Sequence, residues 1–249
     1  MRDLCKFKGC LLGGAVGDAL GYTVEFMRES DIFKAFGSEG ITRYRLVHGK
    51  ARISDDTQMT LFTATGLLFG QTRGMMRGIG GPHLDYIRMA YLDWLDTQTN
   101  MLPFSPDHFR VSWLADFEEF YHRRAPGTTC MSALEKGGWG TVEKPINNSK
   151  GCGGVMRVAP IGLYFCDKPH WTSTDIDRIG ADAAAITHGH ELGYIPSAIL
   201  VHIVHALASE THTEILPAVQ EAMDAVQKLF PQAESMEYFQ AMMERAIFR

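Results

Sequence analysis

The chain is poor in the features that mark several large classes of protein. Its five cysteines are odd in number and scattered through 249 residues, which argues against a disulfide framework and is typical of a reducing compartment. Lysine and arginine total 24 against 29 aspartates and glutamates, giving a net charge of −5. We find no basic stripe of the kind that grips nucleic acid, so we expect no nucleic-acid partner.

Signals for export or membrane insertion are equally scarce. The N-terminal segment mixes charges of both signs and lacks the apolar core of a signal peptide. No apolar run approaches the roughly 20 residues that a membrane-spanning helix needs. We therefore expect a cytoplasmic protein with no membrane partner.

Alternating strand patterns are missing too, and apolar residues recur instead at helical spacing. One helix is predicted from Phe7 to Gly21, a second from Asp56 to about Phe69, and a third around Leu84 to Leu95. Four more fill the last third, the final one from Met236 to Phe248. This pattern predicts an all-α fold, a compact orthogonal multi-helix bundle, with residues 1–249 forming a single domain.

The first predicted helix is unusually rich in glycine, with five such residues between Gly9 and Gly21. Glycine weakens a helix. We therefore expect this helix to gain stability from the close approach of another backbone in the core of the bundle.

Two adjacent carboxylates and a hydroxyl, Ser54-Asp55-Asp56, stand immediately before the second predicted helix. Neighbouring carboxylates repel each other, so crowding them is costly unless something offsets the charge. Ser54 or Asp55 could cap the helix while the acids complement its dipole. Alternatively, the side-chain oxygens could bind a hard divalent cation.

A polar, glycine-rich loop leads from Ser149 to Gly154 and into a helix start. Such a loop exposes backbone N–H groups that can cradle phosphate oxygens. It is neither a P-loop nor a dinucleotide fingerprint, and a purely structural loop is the other interpretation.

Taken in order, the motifs resemble one known family. They are Gly17-Asp18-Ala19-Leu20-Gly21 with Glu25, Ser54-Asp55-Asp56-Thr57, Pro126-Gly127, the run from Ser149 to Arg157, and Thr187-His188. From about Phe7 to Ala208 the chain resembles the ADP-ribosylglycohydrolase family, the dinitrogenase-reductase-activating type of ADP-ribosyl hydrolase.

The resemblance implies an all-helical hydrolase that depends on Mg²⁺, with Mn²⁺ as the other candidate ion. Its substrate would be ADP-ribosylated protein, with an arginine-type linkage favoured, or a small ADP-ribosyl compound. Ser54, Asp55 and Asp56 would be metal ligands, and Glu25 and Asp56 the catalytic carboxylates, although which acid activates water stays open. The substrate-binding residues implied are Gly127, Ser149, Gly151, Cys152, Gly153, Gly154, Met156 and His188.

Within that set, the resemblance implies that the loop from Ser149 to Gly154 binds the diphosphate through its backbone N–H groups. It implies that His188 contacts the adenosine-side ribose. Cys152 stands where the family often has asparagine, an exchange that leaves a backbone role intact.

The chain departs from the family in one respect. The family carries a Gly-Asp-x-Asp-Thr/Ser motif near its C-terminus that completes a two-metal site, and no Asp-x-Asp follows Ala208 here. We expect either a chain that lacks the family's C-terminal segment or a metal centre that has lost half its ligands. An open apolar face is expected where the family's last helices pack.

Two further interpretations remain open, one of the function and one of the histidines. One is a catalytically weak or inactive relative that binds ADP-ribose as a regulator, inhibitor or structural protein. The other concerns the histidines His188, His190, His202 and His205, whose spacing could hold zinc, although apolar helices often carry hydrogen-bonded histidines.

Overall fold

A computed structural model describes residues 3–103 and 105–247, and helices dominate that part of the chain. A hairpin of two-residue strands, β1 (Leu46–Val47) and β2 (Lys50–Ala51), is paired antiparallel. The α-helices are α1 (Leu4–Gly21), α2 (Glu29–Phe36), α3 (Asp55–Arg77), α4 (His83–Thr99), α5 (Thr128–Glu135), α6 (Ala159–Phe165), α7 (Ser173–Ala185), α8 (Glu191–Ala208), α9 (Ile215–Leu229) and α10 (Met236–Ile247). The all-α prediction is confirmed. Phe248, the predicted end of the last helix, lies outside the described residues.

Two clusters of apolar side chains form the core. The first joins α3, α4, α6 and α7 through fully buried residues such as Phe62, Trp94 and Ile161. The second joins α7, α8 and α9 through residues such as Ile195 and Ala222. Since α7 contributes to both clusters, it links the half of the molecule that carries Ser54-Asp55-Asp56 to the half that carries α8.

Helix α3 is two turns longer than the sequence predicts. We expected it to stop at Gly70, yet it continues to Arg77 and ends at Gly78, whose φ of 66° is the left-handed conformation that favours glycine. Gly70 faces the Tyr86 ring of α4 so closely that a Cβ there would lie 2.5 Å from a ring carbon. The glycine therefore allows helix packing rather than ending the helix.

The expectation for α1 is wrong in one respect. A Cβ built at Gly9, Gly13, Gly14 or Gly17 would meet no atom within 4 Å, so no neighbouring backbone approaches these glycines. Ala19 is the one buried residue of this helix. The outward face of α1 exposes apolar side chains, among them Leu4, Leu12 and Val16.

The expectation that no apolar run approaches membrane-spanning length is wrong for helix α8. Its 18 residues, Glu191–Ala208, are long and apolar enough by composition to cross a bilayer. More than half of them, 56%, are buried inside the fold, and the helix packs against α6, α7 and α9. A core helix surrounded by others needs apolar residues on several faces, which accounts for this composition.

Candidate active site

The N-terminus of α3 is organised by Asp18, near the end of α1. The Asp18 carboxylate accepts hydrogen bonds from the Ser54 N–H at 2.9 and 3.0 Å and from the N–H and hydroxyl of Thr57. The Ser54 hydroxyl caps the helix by accepting from the Asp56 N–H at 3.1 Å. The capping interpretation is thus confirmed. A hydroxyl oxygen has two lone pairs, so this cap leaves one available to a metal.

Asp55 ties the start of α3 to the turn before α5. Its side chain is buried, with 4% exposed, and it accepts a hydrogen bond from the Gly127 N–H at 3.1 Å. The Asp55 N–H donates to the Arg124 carbonyl at 2.9 Å. In this structure, Gly127 therefore positions a carboxylate through its N–H group.

The acids of this region perturb one another. Burial is the main reason that the pKa of Asp55 is raised to about 7; the Gly127 N–H opposes the shift, and the Asp56 and Glu25 carboxylates add to it. Burial, then Asp18 and Glu25, raise the pKa of Asp56 to about 6. Partial burial and Asp18 also raise the pKa of Glu25. The carboxylates of two separate motifs, one with Asp18 and Glu25 and one with Asp55 and Asp56, are therefore close enough to repel.

In the described part of the chain, this negative charge has no ion-pair partner among the basic side chains. Within residues 3–103 and 105–247, no lysine or arginine forms an ion pair with Asp18, Glu25, Asp55 or Asp56. Crowded carboxylates without a cationic partner are the arrangement that a divalent cation stabilises.

The glycine-rich loop is held in place by Asn147. The Asn147 side-chain oxygen accepts from the N–H groups of Ser149 and Gly189, and its amide donates to the Thr187 carbonyl at 2.7 Å. The Ser149 hydroxyl lies 3.2 Å from that of Thr129. These bonds fix the loop against the turn between α7 and α8.

The same loop presents unused donors. In the described part of the chain, no acceptor takes the backbone N–H groups of Gly151, Gly153 or Gly154. A Cβ at Gly153 would lie 2.7 Å from His188 Cε1, and one at Gly154 would lie 2.8 Å from the Gly193 carbonyl oxygen. Glycine at these two positions therefore lets the loop lie directly on His188 and on α8.

His188 is buried behind the loop, with 2% exposed. Its Nδ1 lies 2.8 Å from the Thr187 hydroxyl, and the same hydroxyl oxygen accepts a hydrogen bond from Arg157. Burial, and then the Arg157 charge, lower the pKa of His188 to about 4. The imidazole is therefore neutral at physiological pH.

The loop and the acids face one region. The pKa of the Cys152 thiol is raised by burial and then by the Asp56, Glu25 and Asp55 carboxylates, which places the loop within their field. Met156 and Asp56 line a groove of about 300 Å³ that also reaches Asp18, and the Met156 carbonyl accepts from the Thr60 hydroxyl of α3 at 3.0 Å. A larger cavity of about 780 Å³ lies on the surface of α7 and α9 and is lined by none of the predicted site residues.

A different group of residues has the tightest metal-ligand geometry. Asp93, Asp96 and His108 bring three ligand atoms within 4.8 Å of one another, and no other such carboxylate, histidine or cysteine group occurs in the part of the chain described. The Asp93 carboxylate already accepts from the Val111 and Ser112 N–H groups and lies 2.9 Å from His108. The sequence suggested no such group, because His108 lies in an irregular segment without a motif.

The histidines considered for zinc do not come together in the described residues. His202 pairs with Asp177 at 2.8 Å, and His190 Nδ1 accepts from the Leu192 N–H to cap α8. His188 is engaged with Thr187. These three histidines therefore have local structural partners, and in the described part of the chain neither they nor His205 belongs to a group of three possible metal ligands.

Sequence reasoning missed the roles of Asp18, Asn147 and Arg157. Asp18 and Arg157 are charged residues inside otherwise apolar stretches, which was the available signal that each meets a specific partner. Asn147 gave no signal, because asparagine is common in any loop.

Comparisons with known proteins identify the family of the chain. The family model described as ADP-ribosylglycohydrolase matches residues 2–248. An uncharacterized protein of Archaeoglobus fulgidus is 28% identical over 188 residues, which are 74% of this chain and 49% of that protein. The chain thus spans about half the length of this curated relative. It belongs to the ADP-ribosylglycohydrolase family.

Proposed function

We propose that the protein hydrolyses the glycosidic bond between ADP-ribose and a protein side chain, with an arginine-type linkage favoured, or the equivalent bond of a small ADP-ribosyl compound. The observation that carries the proposal is the groove of about 300 Å³ that Asp18 and Asp56 line together with Met156, which directly follows the glycine-rich loop and its helix start. It indicates that acids suited to a cation face a loop whose free N–H groups suit a diphosphate.

Mg²⁺, or Mn²⁺ as the second candidate, fits the acids at the start of α3. Ser54, Asp55 and Asp56 would hold it, because they supply one hydroxyl and two carboxylates, the oxygen ligands that hard cations prefer. When bound, the ion supplies Lewis-acid polarisation of oxygen ligands. Its charge would offset the repulsion that raises the pKa values of Asp55 and Asp56.

The chain's own residues divide the remaining work. The Gly151, Gly153 and Gly154 N–H groups would bind the diphosphate, which leaves the substituted ribose directed toward the acids. A carboxylate, Glu25 or Asp56, would accept a proton from the attacking water as the water oxygen bonds to C1 and the bond from C1 to the leaving group breaks. The carboxylate then passes this proton on, and the leaving group takes up one proton in exchange, so that no proton is gained or lost; the oxocarbenium-like state is stabilised by the surrounding carboxylates.

The experiment that tests this proposal measures release of ADP-ribose from an arginine-ADP-ribosylated protein. We expect release with Mg²⁺, its loss with a chelator, and its recovery when Mg²⁺ is restored. Parallel substrates with a serine linkage or a small ADP-ribosyl ester test the preference for arginine. Chelator-resistant release would contradict the metal requirement, and equal rates on all substrates would contradict the linkage preference.

A binding protein without turnover is the second candidate function. One observation favours it. Among the described residues, the ligand atoms of Asp93, Asp96 and His108 all lie within 4.8 Å of one another, whereas the carboxylate oxygens of Glu25, Asp55 and Asp56 do not form such a group. Binding of ADP-ribose without release from any of the three substrates, with Mg²⁺ or Mn²⁺ present, would establish this candidate and exclude the hydrolase.

A further inference from the structure

Arg157 is a buried cation with no carboxylate partner in the described part of the chain. It is fully buried, and its guanidinium lies 4.3 Å from the centre of the Tyr91 ring. One terminal nitrogen donates to the Ala183 carbonyl at 3.1 Å and to the Thr187 hydroxyl at 2.7 Å. Burying a charge without an ion pair is costly, so a residue that does so invites a functional explanation.

The hydrogen bonds around Thr187 favour donation from its hydroxyl to His188. Guanidinium can only donate, so the Thr187 oxygen accepts from Arg157 and its own hydrogen is left for another acceptor. His188 Nδ1 lies 2.8 Å from that oxygen. The Cys130 sulfur is the other group beside it, and sulfur is a much weaker acceptor than an imidazole nitrogen.

If Thr187 donates to Nδ1, the proton of the neutral imidazole must be on Nε2. Nε2 lies on the loop side of the ring, 3.0 Å from the position of a Cβ on Gly153 and 3.5 Å from one on Gly151. These are two of the residues whose backbone N–H groups are unused. The imidazole therefore adds a side-chain donor to a set of backbone donors.

We propose that Arg157 and Thr187 are positioning residues that hold His188 as an Nε2–H donor for an acceptor oxygen of ADP-ribose. This inference rests on the proposed function for the identity of the ligand. A merely structural role for the same bonds is the competing explanation, because Arg157 also bonds Ala183 and Asn147 bonds the Thr187 carbonyl. A test must therefore measure which nitrogen of the imidazole carries the proton, as well as the affinity for ADP-ribose.

Two variants at Thr187 separate these explanations. Thr187→Val keeps the shape and removes the hydroxyl, whereas Thr187→Ser keeps the hydroxyl. ADP-ribose binding is measured by calorimetry, and nitrogen NMR of the imidazole reports which ring nitrogen carries the proton. Thermal unfolding shows that each variant is folded. Arg157→Lys keeps the positive charge but loses the forked donor geometry of the guanidinium, and its tautomer and affinity are measured in the same way.

In the wild type and in Thr187→Ser we expect His188 to be protonated on Nε2, with ADP-ribose affinities within about twofold of each other. In Thr187→Val we expect a mixture of tautomers and binding that is about five- to tenfold weaker, the effect of one lost hydrogen bond. A Thr187→Val protein with unchanged tautomer and affinity would overturn the inference, as would a serine variant as impaired as the valine one. If the wild type binds no ADP-ribose, the proposed function fails, whereas the tautomer still decides whether Thr187 orients His188.

Discussion

Replacing Asp55 by asparagine should stabilise the metal-free protein at high pH. The carboxyl is buried beside Asp56 and within the field of Glu25, so its ionised form is disfavoured in the folded state. Asparagine removes the charge while keeping an oxygen that can accept from the Gly127 N–H. The change therefore isolates the cost of the charge from the hydrogen bond.

The pKa of Asp55 sets the size and sign of this effect. It is raised from 3.8 to about 7 on folding. A carboxyl with a raised folded-state pKa contributes stability below pH 4 that is lost as the pH rises through about 7. The decline stops once the pH exceeds the folded-state pKa of about 7. Between pH 5 and pH 8 it therefore extends over about two pH units, and each unit corresponds to about 1.4 kcal/mol. We therefore expect metal-free wild type to lose about 2–3 kcal/mol over this range from Asp55 alone.

Urea unfolding in the presence of a chelator, at pH 5, 6, 7 and 8, measures this loss. Asp55→Asn should flatten the pH dependence by about 2 kcal/mol. Asp85→Asn, at an exposed aspartate in the first turn of α4, is the matched control and should leave the slope as in the wild type. Mg²⁺ at a hundred times its dissociation constant should restore about 2.7 kcal/mol to the wild type at pH 8. Equal pH dependence in wild type and Asp55→Asn would show that ionising Asp55 costs the folded protein no stability.

Three further predictions address other parts of the site. Glu25→Gln should lower turnover by about 10²–10⁴-fold, as expected for a carboxylate that activates water, while calorimetry shows nearly unchanged ADP-ribose binding; wild-type turnover would dismiss the assignment. Gly153→Ala should weaken ADP-ribose binding by about tenfold or more, because forcing a methyl group against His188 costs about 1–3 kcal/mol, whereas Gly13→Ala on the open face of α1 should bind normally. Asp18→Ala should lower the unfolding free energy at pH 5 by about 1–3 kcal/mol, since it leaves the Ser54 and Thr57 N–H groups without their acceptor; an unchanged urea midpoint would show that the cap is dispensable.

Helical periodicity predicted the all-α fold because it records which faces are buried, and α7, α8 and α9 appear where apolar spacing placed them. Glycine was the less reliable signal. Gly70 lies inside α3 because it packs on Tyr86, and the glycines of α1 face open space. A glycine in a sequence indicates either conformational freedom or the close approach of another group. The sequence alone does not tell which group approaches.

The candidate site was predicted from motifs, and its chemistry emerged only from contacts between distant residues. Asp55 was expected to bind a metal, but its bond to Gly127 crosses 72 residues. The orientation of His188 depends on Arg157, 31 positions earlier, acting through a shared hydroxyl. Such pairings depend on the packing of α3, α7 and the glycine-rich loop, which local sequence patterns do not encode.

Binding of Mn²⁺, followed by electron paramagnetic resonance of the free ion, tests most directly whether the acids at the start of α3 form the metal site. Among the described residues there are two candidate sites, Ser54-Asp55-Asp56 and the group of Asp93, Asp96 and His108. We predict that wild type and His108→Ala bind Mn²⁺ alike and that Asp55→Asn loses this binding. Loss in His108→Ala with full binding in Asp55→Asn would place the metal at Asp93, Asp96 and His108 instead of at the start of α3.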